Sequence, residues 1–421
     1  MTEKKADLYQ RRAIEALVGF YFSDKMEFRL GGYAGTGKSF VISKFVEAVE
    51  ADVNEKHREF ERQRESKYSV LKYEFGLNDS VISGLLPDPD GKIAVRYLAP
   101  TGKASLELIK KGLDASTVHS FLYVPVTEED ENGNVRLVFS KNNAAIRAAT
   151  LDMVIVDEAS MINYEIYRDL IELNVKIVWV GDHGQLPCIN NPDTTRPDFS
   201  LMKDADFYLE HIHRYAGEIA NICKLAREGK NIRFGSYGKK VAKVKWEDIT
   251  EAHLLKVDQI ICGKNDTRKE LNTYIRESKG FTSPLPVIGD KLIIKKNNSQ
   301  LGLINGLFAE CTKDVEFSEI NAAGGQFALS LETELDLSLE DIRFNLPFLI
   351  PDYSDKLEIN KSKLYELDKV DYGYAITCHS AQGSQFPRPL VVDEPFGDNE
   401  MRRRWRYTAY SRAQQKLIIV S

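Results

Sequence analysis

Between residues 28 and 182, short apolar runs alternate with stretches whose apolar residues recur at helical spacing. "FRLGG" (28–32), "IAVRYLAP" (93–100), "DMVIVDEAS" (152–160) and "VKIVWVGD" (175–182) carry near-continuous apolar segments. Strands buried on both faces of a parallel sheet read this way. "KSFVISKFVEAVE" (38–50) has helical spacing. The alternation predicts a doubly wound α/β unit. The charged stretch "NEKHREFERQRESKYSVLKYEF" (54–75) predicts a solvated helix or helical hairpin, inserted at 51–93. In "YVPVTEEDENGNVRLVF" (123–139), two β-rich runs flank Asn132-Gly133, which predicts a hairpin.

Beyond Pro187 come helical segments such as "GEIANICKLAREGKN" (217–231), then a strand–loop–helix pattern in "VDQIICGKNDTRKELNTYIRE" (257–277). From Gly289 the pattern turns β-rich with Gly and Asn turns, and it returns to α/β at "YGYAITCHSAQG" (372–383), "RPLVVDE" (388–394) and "QKLIIVS" (415–421). The expected organisation is a first lobe over 1–186, with a hairpin at 120–142. A second lobe is expected over 187–285 and 368–421, and a β-rich insertion over 286–367.

Composition narrows the class. At 421 residues the chain exceeds one core. Its 43% apolar and 29% charged content is that of an ordinary soluble protein. No apolar run is long enough to span a membrane, and "MTEKKADLYQ" does not resemble a signal peptide, so no membrane association and a cytoplasmic setting are expected. The five cysteines form no C-x-x-C pair, which argues for a reducing compartment and against zinc. A net charge of −6 does not advertise nucleic-acid binding, although a local basic groove suffices for it.

The chemistry begins at "GGYAGTGKSF" (31–40), which contains Gly32-x-x-x-x-Gly37-Lys38-Ser39. Chance produces such a match in about one chain in fifty of this length, and the strand before it and helix after it are the context a phosphate-binding loop requires. Backbone N–H groups cradle phosphate oxygens, Lys38 reaches the β- and γ-phosphates, and the Ser39 hydroxyl ligates Mg²⁺. "VIVDEAS" sets Asp157 at a strand's C-terminal end, to hold Mg²⁺, with Glu158 beside it to deprotonate water. "VGDHGQLP" ends another strand in Asp182 and Gln185, whose amide suits contact with the γ-phosphate or the attacking water.

"GYAGTGKS", "APTGKAS", "STVHSF", "VIVDEASM", "VGDHGQLP", "HR", "CHSAQGSQF" and "YTAYSRA" occur in the order of the superfamily 1B helicase motifs. From Gln10 to Arg412 the chain resembles the Dda and RecD-like group of ATP-driven DNA helicases. The resemblance implies two RecA-like P-loop lobes with ATP and Mg²⁺ between them, a small β-hairpin insertion of the kind called a pin, and an SH3-like β-rich insertion. Gln10 matches the adenine-reading glutamine, and Gly32, Gly35, Thr36, Gly37, Lys38 and Ser39 form the nucleotide loop. Arg214 and Arg412 match the arginines that serve the γ-phosphate from the second lobe.

The resemblance also implies a path for single-stranded DNA over both lobes. Thr101, Lys103 and His119 match strand-contacting positions in the first lobe, and Thr377, His379 and Ser380 match them in the second. Tyr123, Phe139 and Trp405 are candidates for stacking on bases. Ser380 and Gln385 stand where many relatives have Lys and Glu, and the 51–93 insertion is longer than the group leads one to expect. Expected partners are single strands and duplex junctions, with single-strand-binding or replication proteins as further candidates. The family implies 5′-to-3′ movement and a place in DNA replication, recombination or repair. Two rival classes share the loop: a strand-binding or annealing factor with a regulatory ATPase, and a small-molecule kinase. The kinase gives no reason for "SRA" near the C-terminus.

Overall fold

The computed structural model describes residues 6–55, 64–86, 93–129, 135–141, 148–187, 196, 199–212, 217–298, 300–315, 320–321, 325–350, 367–395 and 397–421. The chain divides into two compact units, 1–216 and 217–421.

The first unit is built on strands β1 (Glu27–Gly32), β2 (Val95–Ala99), β3 (Ala115–Thr117), β6 (Met153–Val156), β7 (Lys176–Gly181) and β8 (Phe207–Leu209), with β4 (Tyr123–Glu129) and β5 (Val135–Lys141) outside the main sheet. Its helices are α1 (Leu8–Tyr21), α2 (Lys38–Glu55), α3 (Asp79–Leu85), α4 (Gly102–Ile109), α5 (Val118–Leu122) and α6 (Tyr164–Ile171). The main sheet has the order β3-β2-β6-β7-β1-β8, with every pairing parallel. Alternate residues of each strand bury on opposite faces. Leu30, Tyr97, Ile155, Val178 and Val180 join α1 and α2 in one core. Leu98, Val154, Val156, Ile177 and Trp179 join α5 and α6 in the other. Two buried faces explain why these strands read as unbroken apolar runs.

The first unit extends past the expected boundary at 186. The three-residue strand β8 pairs with β1 from Leu30↔Phe207 to Gly32↔Leu209. A Cβ on Gly31 would lie 2.4 Å from the Tyr208 ring, so glycine there admits the extra strand. Strands this short leave almost no periodicity to read. In the charged insertion, residues 64–69 are helical and α3 follows, so the described part of 51–93 is helical.

β4 and β5 pair antiparallel from Tyr123↔Lys141 to Glu129↔Val135, while Asn132-Gly133 lies outside the described residues. The hairpin starts at Tyr123 rather than 120, because 118–122 form α5, capped by the Thr117 side chain.

The second unit has a sheet of β9 (Gly235–Tyr237), β10 (Val241–Val244), β11 (Gln259–Cys262), β18 (Ala375–Thr377), β19 (Pro389–Val392) and β20 (Leu417–Val420). Its order is β18-β11-β19-β20-β10-β9, parallel except for β9. Helices α7 (Glu218–Arg227), α8 (Glu251–Lys256), α9 (Asn265–Ser278), α10 (Leu346–Leu349) and α11 (Asn399–Tyr410) complete the unit. The β-rich segment is an antiparallel sheet of β12 (Lys291–Ile294), β13 (Phe308–Cys311), β14 (Ile320–Asn321), β15 (Gln326–Thr333), β16 (Ser338–Asn345) and β17 (Val370–Tyr372). The insertion was expected to end at 367, yet β17 pairs with β12 and carries it to Tyr372. Arg276 on α9 donates from Nε and Nη2 to buried Asp290, just before β12, at 3.0 Å each. Tyr374 donates to the same carboxylate at 3.0 Å, so three elements share one buried anchor.

Candidate nucleotide and nucleic-acid site

Strands in a parallel sheet all end on one edge, and ligands of α/β sheets bind there. In the first unit, the segments following β1, β2, β6 and β7 are the glycine-rich loop, Thr101, Asp157-Glu158 and Asp182–Gln185. The loop turns through Gly35 and Gly37 at φ 83° and 85°, a region glycine enters freely. Lys38 opens α2, and its Nζ donates to the carbonyls of Gly32 at 2.7 Å and Tyr33 at 3.2 Å. The Thr36 hydroxyl closes the turn by donating to Tyr33 O at 2.9 Å.

Ser39 and Asp157 line the same small cavity. A hydroxyl and a carboxylate are the oxygen ligands that Mg²⁺ takes alongside water and phosphate, so the pair fits the ion. Glu158 sits at φ 50°, ψ 38°, and its N–H donates to Asp157 Oδ1 at 2.9 Å. Left-handed backbone costs a non-glycine residue about 1–3 kcal/mol and concentrates at functional sites.

Gln10 is buried, with 3% exposure. Its Oε1 accepts from Asp7 N in the capping box of α1, and its Nε2 donates to Thr36 O at 3.2 Å. The helix cap therefore fixes this amide against the loop. Gln185 is also buried, and its N–H donates to Asp182 O at 3.1 Å.

Asp182 has a role that its sequence neighbours alone do not specify. It is fully buried, and its two carboxylate oxygens accept from the N–H groups of Ala34 and Gly184, both at 3.0 Å. It thus ties the nucleotide loop to the Gln185 turn. D182A leaves both N–H groups without this acceptor. Expected is a loss of about 1–3 kcal/mol of stability and weaker ATP binding, read by chemical denaturation and KM. D182N keeps one acceptor and falls between.

The strand-contacting candidates separate by environment. Thr101 caps α4 by accepting from Ala104 N, while Lys103 in the same turn is buried. His119 lies on α5, exposed, with its ring 5.8 Å from that of Tyr123. In the second unit the Thr377 and Ser380 hydroxyls lie 3.1 Å apart, and burial lowers the His379 pKa. Trp405, one of the three aromatics left open for stacking, is fully buried and is not a stacking platform. Tyr123 donates its hydroxyl to Asp169 at 2.7 Å.

Arg214 lies outside the described residues. Arg412 is buried, donating to Thr408 O at 3.0 Å, Ser384 O at 3.3 Å and Ser411 Oγ at 3.1 Å. Of the neighbouring arginines, Arg404 pairs with Glu400 and Arg406 with Asp393, each at 2.9 Å. Two backbone carbonyls and a hydroxyl orient Arg412.

Residues 6–245 match the AAA domain family, and residues 372–420 match the UvrD-like helicase C-terminal domain. The chain belongs to the AAA domain family. A member of the RecD branch, the RecBCD enzyme subunit RecD of Buchnera aphidicola subsp. Schizaphis graminum (strain Sg), is 29% identical over 146 residues. That match covers 30% of this chain and only 23% of RecD. Among solved structures, two coordinating Pif1 helicases at forked dsDNA share the fold at TM-score 0.56 and 15% identity, over 99% of this chain and 92% of theirs. Pif1 from Bacteroides with ADP-AlF3 and ssDNA does so at TM-score 0.54 and 14% identity, over 98% and 92%. The helicase fold thus runs the length of the chain. Among the described residues, no helix is long and apolar enough to cross a membrane.

Proposed function

We propose that this chain is an ATP-dependent DNA helicase that moves 5′-to-3′ along a single strand and parts the duplex ahead of it. The observation that carries the reading is the arrangement around the glycine-rich loop: Ser39 and Asp157 share a cavity, and Asp182 binds the loop to the Gln185 turn. One solved Pif1 structure holds ADP-AlF3 and ssDNA and another concerns unwinding at forked dsDNA, which supports the same ligand classes here.

Lys38 and the loop N–H groups bind the phosphates, and Gln10 reads the adenine edge. Mg²⁺, held by Ser39 and Asp157, supplies charge neutralisation on phosphate oxygens when bound. Glu158 takes the proton of the attacking water, and Gln185 orients that water. Arg412 and Arg214 stabilise charge on the transferring phosphoryl group. Thr101, Thr377 and Ser380 hold the strand through its phosphates, which confers no sequence preference.

The deciding experiment compares duplexes with 5′ and 3′ single-stranded tails. ATP-dependent displacement from the 5′-tailed substrate is expected. ATPase stimulated by single strands without displacement from either substrate would instead identify a remodelling or annealing ATPase. Hydrolysis indifferent to DNA would remove nucleic acid from the reading altogether.

The β4–β5 hairpin is the proposed wedge. Its base is fixed: Tyr123 and Lys141, a register pair, both bind buried Asp169 on α6, at 2.7 and 3.2 Å. Its connecting segment is acidic, which suits separating strands better than clamping phosphate. Each base-pair step resists opening by about 1.4 kcal/mol. Replacing 126–137 by a short Gly-Ser link is expected to lower strand displacement about tenfold or more, at 1.36 kcal/mol per decade, while DNA-stimulated ATPase persists. Undiminished displacement would make the hairpin peripheral, and joint loss of both activities would make it a support of the fold.

A further inference from the structure

Lys295 immediately follows β12, on the β-rich insertion, and its backbone N–H donates to Lys369 O at 2.7 Å. The side chain is half-buried, and its Nζ reaches Ser380 Oγ at 3.5 Å. Ser380 Oγ is in turn 3.1 Å from Thr377 Oγ1. An ammonium from one sheet therefore meets the Ser380 hydroxyl, itself paired with that of Thr377, just past the end of a strand of another. The hydroxyl contact is long, and an ammonium has three donors, so capacity remains for a further acceptor.

Among the described residues, the charges acting on Lys295 do not cancel. The carboxylate among them is Asp371, which stands in an ion pair with Arg268. Arg268 and Lys295 contribute two positive charges against the single negative charge of Asp371. Burial lowers the Lys295 pKa and Asp371 raises it. A partly desolvated cation in net positive surroundings is costly by itself and is relieved by an anion. The nearby hydroxyls add donors suited to phosphate oxygen. The placement is also braced, since the Arg276–Asp290–Tyr374 anchor ties α9, the start of the insertion and the approach to β18 together.

We propose that Lys295, with the Thr377 and Ser380 hydroxyls, forms a binding site for a backbone phosphate of single-stranded DNA. The insertion then contributes directly to the strand path rather than only flanking it. This inference rests on the helicase reading above. It assigns to the insertion a contact that the motifs place only in the lobe.

The test measures binding of the full chain to a fluorescent oligo-dT across a salt series, for the parent, K295M and K295R. K295M is expected to bind about five- to tenfold more weakly at low salt. The slope of log K against log[salt] is expected to become shallower by about 0.7, the signature of one lost phosphate contact. Its melting temperature should equal or exceed the parent's, because a partly desolvated charge has been replaced by an apolar side chain of similar length. K295R is expected to restore the slope.

Parental affinity and slope in K295M would overturn the site while leaving the helicase reading intact. A parent that binds no oligo-dT would overturn both. A lowered melting temperature that tracks the lost binding, and is not relieved in K295R, would make Lys295 a structural residue. Inorganic phosphate, compared with chloride at equal ionic strength, separates the two sources of the anion. Little displacement of oligo-dT supports the strand, whereas phosphate-specific displacement matched by insensitivity in K295M would assign the site to free phosphate.

Discussion

ATP turnover by Lys38→Ala is expected to fall by about 10²–10³-fold, the scale of removing one pre-organised charge from a reacting phosphate. Lys38 is anchored at the first position of α2, and its ammonium lies against the Gly32 and Tyr33 carbonyls, within the turn of the glycine-rich loop. Those carbonyls hold the ammonium at the place where loop N–H groups and the helix N-terminus attract phosphate. The same contacts brace the loop, so a fall in activity has two candidate causes. Melting temperature and single-strand binding separate them. A folded K38A chain that binds oligo-dT but does not hydrolyse ATP supports the phosphate role. Parental turnover would remove this loop from the catalytic site, and joint loss of folding and binding would make Lys38 structural.

Arg412→Ala is expected to lower kcat for DNA-stimulated hydrolysis by about 10³-fold, the lower end for an arginine serving a transferring phosphoryl group. KM for ATP should change far less, because the charge acts mainly in the transition state. Arg412 is pre-oriented by Thr408 O, Ser384 O and Ser411 Oγ, all from its own unit. Lysine cannot reproduce that fork, so R412K should recover little activity. R404A and R406A are the controls, since each of these residues has a carboxylate partner. If R412A turns over at the parental rate while R406A or R404A does not, the finger belongs to that residue. R406A would also leave the Asp393 carboxylate, only 1% exposed, without its closest cation, so its stability must be measured alongside.

Much of the candidate nucleotide site was legible because its parts are local. A strand, a glycine-rich turn and the start of a helix fall within a dozen residues, and Lys38 and Ser39 follow from spacing alone. Asp157 and the Asp182–Gln185 turn were readable because each follows an apolar run, and these runs are strands buried on both faces. The α/β class and the β-rich nature of the segment after 289 follow from the same change in periodicity.

What sequence could not supply was pairing across distance. β8 joins the first sheet through three residues whose partner lies about 180 positions earlier, and Gly31 matters because Tyr208 approaches it. β17 belongs to the insertion because it pairs with β12, although it reads as the beginning of the lobe that follows. Gln10 looks like an exposed helical residue until the cap at Asp7 turns its amide onto Thr36 O. Asp182 looks like a solvated strand end until its carboxylate is found holding Ala34 N–H, 148 residues away. Trp405 sits in a run of arginines that suggests a surface, yet α11 buries that face and excludes the ring from solvent. Lys295 is one lysine among many in sequence, and only the packing of one sheet against another sets it beside Ser380. The sequence by itself determined which residues have phosphate chemistry to offer, because that chemistry is carried by residue type and short spacing. The tertiary structure decided which of them are buried, which carboxylate each donor meets and where a charge is left in excess, because those depend on contacts between residues far apart in the chain.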